Sequence, residues 1–302
     1  MRCLMISLRS GRAEPWRSPA LMDIPAAKSE FAWQPLTARG VAAFARASLG
    51  RLLVVQFVFA LLAAATVVWF LHEAWFPIVR AAIKELPVQG EIRSGKLDWR
   101  GDSPSSLAEG RFLALVVDLN HEGQARSPAH VQVEFGKTDA KVFSILGFAF
   151  VAYPHGWIMA FNRTELEPWW GAWAPDILAI LAGLVVVGLM LGWALLATLY
   201  ALPVWLVGFF ANRDLTWPGS WRLAGAALMP GALLLTAAIF FYGLGALDPL
   251  RLIVAAALHV VVGWGYVLAS PLCLPRHPAV PAAPANPFVV PVKHRDKDKE
   301  KD

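Results

Sequence analysis

Few residues of this 302-residue chain have a type and spacing suited to chemistry. His259 is the most pointed, because it sits inside the apolar run LIVAAALHVVVGWGY. Ionisable groups at that depth of a membrane span are rare and often functional. With Gln56 and Thr236, polar side chains of two other apolar runs, it makes a candidate intramembrane polar site. In the simplest version a neutral imidazole bonds one of the two across helices. No acidic residue lies within any apolar run, and Asp176 and Asp248 stand at the edges. Proton- or ion-coupled transport usually needs an intramembrane carboxylate or broken helices around a midplane site.

The remaining motifs read more simply. His72-Glu73 opens like a zinc-protease helix motif, but HEAWF lacks the second histidine. A polar pair at a membrane boundary is the better reading. His121-Glu122, His130 and His155 show no metal-ligand spacing and are expected at the surface or at strand edges. Gly188 and Gly192 form a GxxxG, a helix-packing motif within one bundle or between copies. Arg100-Gly-Asp102 followed by Ser103-Pro104 reads as a turn, and Asn162-Arg-Thr164 is a glycosylation acceptor only in a eukaryotic secretory pathway. Cys3 and Cys273 suggest neither a disulfide framework nor a zinc site. No nucleophile elbow or phosphate-binding loop occurs. No catalytic residue, metal or cofactor is expected, and the chain reads as a non-enzyme.

The elements that must position these residues follow from composition. The chain is 57% hydrophobic and 16% charged, against about 45–50% and about 25% in soluble domains. That excludes a disordered protein, a coiled coil and an ordinary soluble enzyme. Four apolar runs stand out: 52–71, 177–211, 223–245 and 252–270. At about 1.5 Å per residue, a run of some 20 residues covers a bilayer core of roughly 30 Å. The second run is too long for one simple span. Pro203 divides it into a span over 177–201 and an interfacial turn or short helix over 204–211. Pro230 lies inside the third.

Lysine and arginine near the span ends set the orientation. Residues 1–51 carry eight basic and three acidic residues, whereas 72–173 carry ten and twelve. Both termini are expected in the cytoplasm, with one domain outside. The net charge of +5 is then mostly a topology signal rather than a nucleic-acid footprint. Trp69, Trp75, Trp169, Trp170 and Trp173 on one side, and Trp205, Trp217 and Trp221 on the other, form interfacial belts.

In the outer segment, Phe76–Leu86 places Ile78, Val79, Ala82, Ile83 and Leu86 on one stripe, an amphipathic helix stopped by Pro87. Strands are expected over Glu91–Trp99, Phe112–Asn120 and His130–Phe135, the last alternating cleanly. Gly136–Asp139 reads as a hairpin turn. Val142–Tyr153 is too short for a helical span; it reads as a buried strand, broken at Gly147, or as a re-entrant segment. Leu86-Pro87, Glu91-Ile-Arg-Ser-Gly-Lys-Leu97 and His130-Val-Gln-Val-Glu-Phe135, in this order of span, domain and three spans, resemble a bacterial membrane family of unknown function. That family includes the maltodextrin-utilisation operon membrane protein, and the resemblance covers roughly residues 45–272. It implies no catalytic residues, and a link to sugar uptake in some members.

The expected fold is therefore an integral membrane, α-helical protein: four transmembrane helices with a small β-rich (α+β) extracytoplasmic domain between helices 1 and 2. The segments are a disordered cytoplasmic tail over 1–45, in which Met22 is an alternative start, helix 1 over 46–73 and the outer domain over 74–173. Helix 2 with its interfacial piece follows over 174–211, helix 3 over 221–245, helix 4 over 250–271, and a Pro/Ala-rich linker with a charged tail over 272–302. The expected role is an accessory or binding component of a bacterial inner membrane, acting through the outer domain. The alternative is a small transporter using His259 and Gln56. The expected partners are the lipid bilayer and another membrane or envelope protein, with no nucleic acid.

Overall fold

The computed structural model describes residues 34–277; Met22, Cys3 and the Pro-rich tail beyond 277 lie outside them. Four helical segments in this range are long and apolar enough to cross a membrane. The first is α2 (Leu49–Ala74), capped by Ser48, whose hydroxyl accepts the Arg51 N–H at 3.3 Å. It passes into α3 (Phe76–Glu85) through Trp75. The second, α4 (Arg163–Phe210), is unbroken for 48 residues. The expected division at Pro203 is absent: Pro168, Pro175 and Pro203 all lie inside this one helix. At about 1.5 Å per residue it is roughly 72 Å long, more than twice a bilayer core. Its first turns pack against the sheets, with Leu166 and Trp170 on their apolar core. The third candidate span is two helices, α5 (Trp217–Ala227) and α6 (Met229–Gly243), joined at Leu228. Pro230 has no N–H for the fourth carbonyl back, which accounts for the joint. The last span, α7 (Pro249–Ala269), is capped by Asp248, whose carboxylate accepts the Arg251 N–H at 2.7 Å.

At the end of the bundle that carries both termini, residues 34–45 are not a loose tail. Helix α1 (Ala38–Ala43) and the following 3-10 turn (Phe44–Arg46) bury Val41 and Phe44 completely among α5 and its neighbours. Arg46 pairs with Asp214 at 2.8 Å, Arg222 donates to the Ala45 carbonyl at 2.8 Å, and Arg213 donates to the Leu274 carbonyl at 2.7 Å. These arginines thus tie both ends of the described range to the α4–α5 connection and to α5. Inside the bundle α5 is a helix of small residues: Gly219, Ser220, Ala224, Gly225, Ala226 and Ala227 are all buried. Their size is what lets α2 and α4 approach it closely.

The region between α2 and α4 is a head of two sheets. A three-stranded sheet has the order β2-β1-β8, with β1 Glu91–Arg93, β2 Lys96–Asp98 and β8 Ile158–Ala160. The single strand expected over Glu91–Trp99 is in fact the hairpin β1–β2. Ser94 and Gly95 turn it with φ of 52° and 72°, the left-handed pair that a two-residue hairpin favours. The five-stranded sheet runs β3-β4-β5-β6-β7, with β3 Ser105–Glu109, β4 Leu113–Val117, β5 Val131–Phe135, β6 Asp139–Ser144 and β7 Gly147–Ala152. Strands β4 and β5 are parallel and all other pairs antiparallel. A parallel pair needs a crossover, which here is the loop 118–130. Helix α3 packs its apolar stripe, Ala82, Ile83 and Leu86, over Leu113, Leu115 and Val117 of β4.

Val142–Tyr153 covers most of the β6–β7 hairpin, as a strand reading requires, but of its residues only Tyr153 is buried. Every residue of β7 is exposed, including Phe148, Phe150 and Val151. The strand is the free edge of the sheet, so nothing in the described chain covers its outer side.

Candidate functional site

The register of the five-stranded sheet builds the site. Pairing places Val116 beside Glu134, Glu134 beside Lys141, and Lys141 beside Phe150; one step along, Ala114, Gln132, Phe143 and Phe148 align. Because successive side chains alternate faces, these residues share the face away from α3. It changes character across the sheet, polar on β5 and aromatic on β6 and β7, with Lys141 at the boundary. Helix α3 takes the other face, so the alternation of Val131, Val133 and Phe135 with Gln132 and Glu134 is legible in the sequence. Its polar residues, however, do not face water: Gln132 and Glu134 are buried beneath the crossover loop.

His121 holds that loop down. Its backbone is left-handed, with φ of 56°, uncommon for any residue but glycine, and this turns the side chain under the loop. Nδ1 lies 2.5 Å from a Glu134 carboxylate oxygen and Nε2 lies 3.4 Å from Asp139. The expectation of a surface histidine is thus corrected; only 14% of the side chain is exposed. Gly136 makes room for it, since a Cβ there would fall within the imidazole. Around it, Asp118 accepts the Gly123 N–H at 2.9 Å, and Gln132 joins the Ser127 N–H and the Ala125 carbonyl, each at 2.9 Å. The loop is therefore stitched to the sheet by buried polar bonds. With a carboxylate on each ring nitrogen, His121 serves this scaffold, and among the described residues no group of three or more His, Cys, Asp or Glu side chains is placed to hold a metal ion.

A cleft of about 550 Å³ opens between this loop, the polar-to-aromatic sheet face and Pro249 at the start of α7. Arg126, Ser127, Gln132 and Lys141 supply its polar wall, and Phe143, Ile145 and Phe148 its apolar wall. Neither Arg126 nor Lys141 has an acidic partner among the described residues. The cleft thus sets Arg126 and Lys141, neither in an ion pair, beside aromatic surface, while the carboxylates of Glu122 and Glu134 also line it.

Its floor meets the helices through an aromatic joint. The ring of Phe112 lies 5.2 Å from Phe70 of α2, 5.1 Å from Tyr242 of α6 and 5.3 Å from His130. His130 Nδ1 and the Tyr242 hydroxyl are 2.8 Å apart, and Arg111 donates to the Gly245 carbonyl at 3.0 Å. Burial first, and then the nearby Arg111, lower the His130 pKa below 6.5, with Asp248 opposing. A depressed histidine stabilises the contact fully above its unfolded value. The contribution is lost as pH falls from about 6.5 through the lower folded value. Hydrogen exchange of 111–117 and 130–135 is expected to quicken over that window, and His130→Phe should flatten the response.

The other sequence candidates are dispersed. His259 and Thr236 line one apolar crevice of about 210 Å³ with Trp193, Tyr200 and Trp264. Each, however, bonds its own helix, His259 to the Ala256 carbonyl and Thr236 to the Ala232 carbonyl. Gln56 is not with them; it is buried against α5 and donates to the Gly225 carbonyl at 3.4 Å. A Cβ on Gly188 or Gly192 would meet no atom within 4 Å, so the GxxxG is not a packing seam of this bundle. His72 and Glu73 pair at 3.0 Å, both largely exposed. Arg100-Gly-Asp102 is a turn closed by the Trp99 indole N–H on the Asp102 carbonyl at 3.0 Å. Asn162 caps α4: its side chain accepts the Glu165 N–H at 2.9 Å and donates to the Gly90 carbonyl at 3.0 Å. Its amide nitrogen is occupied and the residue buried, which leaves no room for a glycan.

No family model matches this chain, and neither a curated protein nor a solved structure matches it at a significant level.

Proposed function

We propose that this is a multi-pass inner-membrane protein, with both termini cytoplasmic, that binds an anionic amphiphile in the cleft of its extracytoplasmic head. Four crossings place both termini on one side and the head on the other. The excess of arginine at the terminal side supports the cytoplasm as that side. The observation that carries the ligand reading is the cleft wall itself, where unpaired Lys141 and Arg126 adjoin Phe143, Ile145 and Phe148. A ligand with a charged head and an apolar tail satisfies both halves, and the start of α7 at the rim supports a cleft close to the membrane surface. Among the described residues its histidines bond Glu134, Asp139 and Tyr242 rather than Ser127, which supports binding over catalysis. The transporter alternative has less support, because the polar groups of His259 and Thr236 are met within their own helices and Gln56 lies apart.

Charge-assisted contacts contribute about 1.5–3 kcal/mol each. Replacing both Arg126 and Lys141 by alanine should therefore weaken binding of tetradecyl phosphate to the detergent-solubilised protein by at least about 100-fold. A neutral alcohol of the same chain length should bind the native protein weakly and be indifferent to the double change. Titration calorimetry showing equal affinity of native and doubly changed protein for the phosphate would remove the proposal.

A further inference from the structure

We propose that the β6–β7 hairpin is a membrane foot, whose tip enters the head-side leaflet and opens the cleft sideways toward lipid. The register fixes where the tip lies. Ser144 pairs with Val131 and with Gly147; Val131 follows His130, which touches Tyr242 near the end of α6. Parallel to it, β4 starts just after Phe112, which touches Phe70 of α2. One end of the sheet therefore rests on the helix ends, and Ile145 and Leu146 extend a step beyond that row. Ile145 shares the cleft rim with Pro249, where the next apolar helix begins.

The chemistry of the tip agrees with that level. From Val142 to Tyr153 there is no charged residue, and Leu146 is 82% exposed, Phe148 67% and Phe150 69%. An uncharged apolar projection beside the mouth of a membrane helix is continuous with the lipid-facing surface of that helix. A protein partner in water would more often bring charges to such an edge. The free edge also limits the depth. Backbone groups unpaired on one side cannot be taken into the hydrocarbon centre, so the turn and Phe148 lodge in the interfacial layer, of the order of 5–10 Å deep. The opposite turn, at Lys137, is roughly 20 Å away along strands of six residues and stays in water. The foot stands whether or not the cleft holds a ligand; if it does, that ligand is drawn from the leaflet.

The test uses the full chain with Cys3 and Cys273 replaced by serine, reconstituted in phosphatidylcholine–phosphatidylglycerol vesicles. An environment-sensitive fluorophore is attached to Leu146→Cys or, as the water reference, to Lys137→Cys. The foot predicts a blue-shifted emission at 146. Lipids carrying a nitroxide at the headgroup or high on the chain should quench it several-fold better than iodide, with the reverse preference at 137. Iodide quenching at 146 equal to that at 137, or disulfide-linked dimers through 146 in place of lipid quenching, overturns it. Leu146→Asp with Phe148→Ser provides an independent readout. This double variant should fold, as judged by unchanged hydrogen exchange in β4 and β5, and should release segment 142–152 to rapid protease cleavage in vesicles. If cleavage in vesicles is no faster than in the native protein, the foot is wrong.

Discussion

His121→Ala should loosen the head markedly. The substitution removes both partners' contacts at once, and leaves Glu134, its side chain only 3% exposed, facing an empty space. Removing one partner of a buried hydrogen bond costs about 1–3 kcal/mol, and more where the remaining group is charged, because that group keeps its desolvation penalty. The loop 118–130 depends on the same bonds and forms one cleft wall, so ligand affinity should fall with the stability. Hydrogen exchange of 118–144 in the solubilised protein measures this directly, with the helices as internal reference. His121→Ala combined with Glu134→Leu should recover part of the loss, since leucine removes the orphaned acid. If exchange in 118–144 is unchanged by His121→Ala, the polar stitching described here does not hold the loop.

Gly225→Leu is the corresponding change in the helical half. A Cβ at this position lies 3.2 Å from Leu52 and 3.2 Å from Gln56, and 3.6 Å from Ala197. A leucine must therefore push α5 off both α2 and α4. Overpacking a fitted core costs about 1–3 kcal/mol or more, and here it also breaks the Gln56 bond to the Gly225 carbonyl. Thermal denaturation in detergent should show a loss of several degrees. Gly188→Leu and Gly192→Leu meet open space and should leave the monomer's melting unchanged. Equal destabilisation by all three would contradict the placement of the two glycine sites.

These two sites mark what a sequence can and cannot reveal. The four spans are long apolar runs, and α3 and the β5 alternation are periodic signals; neither kind needs a tertiary contact to be read. The pairing of His121 with Glu134 has no such signal: it depends on a left-handed residue in a crossover loop, with Gly136 vacating the space. Gly136 next to a turn was the only local hint. The exposed strand β7 reads as buried in the sequence because apolar content does not reveal whether a strand is central or at an edge. Pro203 and Pro230 show the same limit from another side. Both sit in apolar runs, yet the chain stays helical through the first and is jointed at the second. Gly188 and Gly192 carry a packing motif on a face that this chain leaves open.

Binding of an amphiphile in the cleft is tested most directly by photolabelling of the reconstituted full chain with an acyl phosphate carrying a diazirine on its chain, followed by peptide mapping. Adducts should concentrate on 143–148 and at the start of α7, and be lost when Arg126 and Lys141 are both replaced by alanine. Adducts spread along the lipid-facing side of α4 and insensitive to that replacement would contradict it.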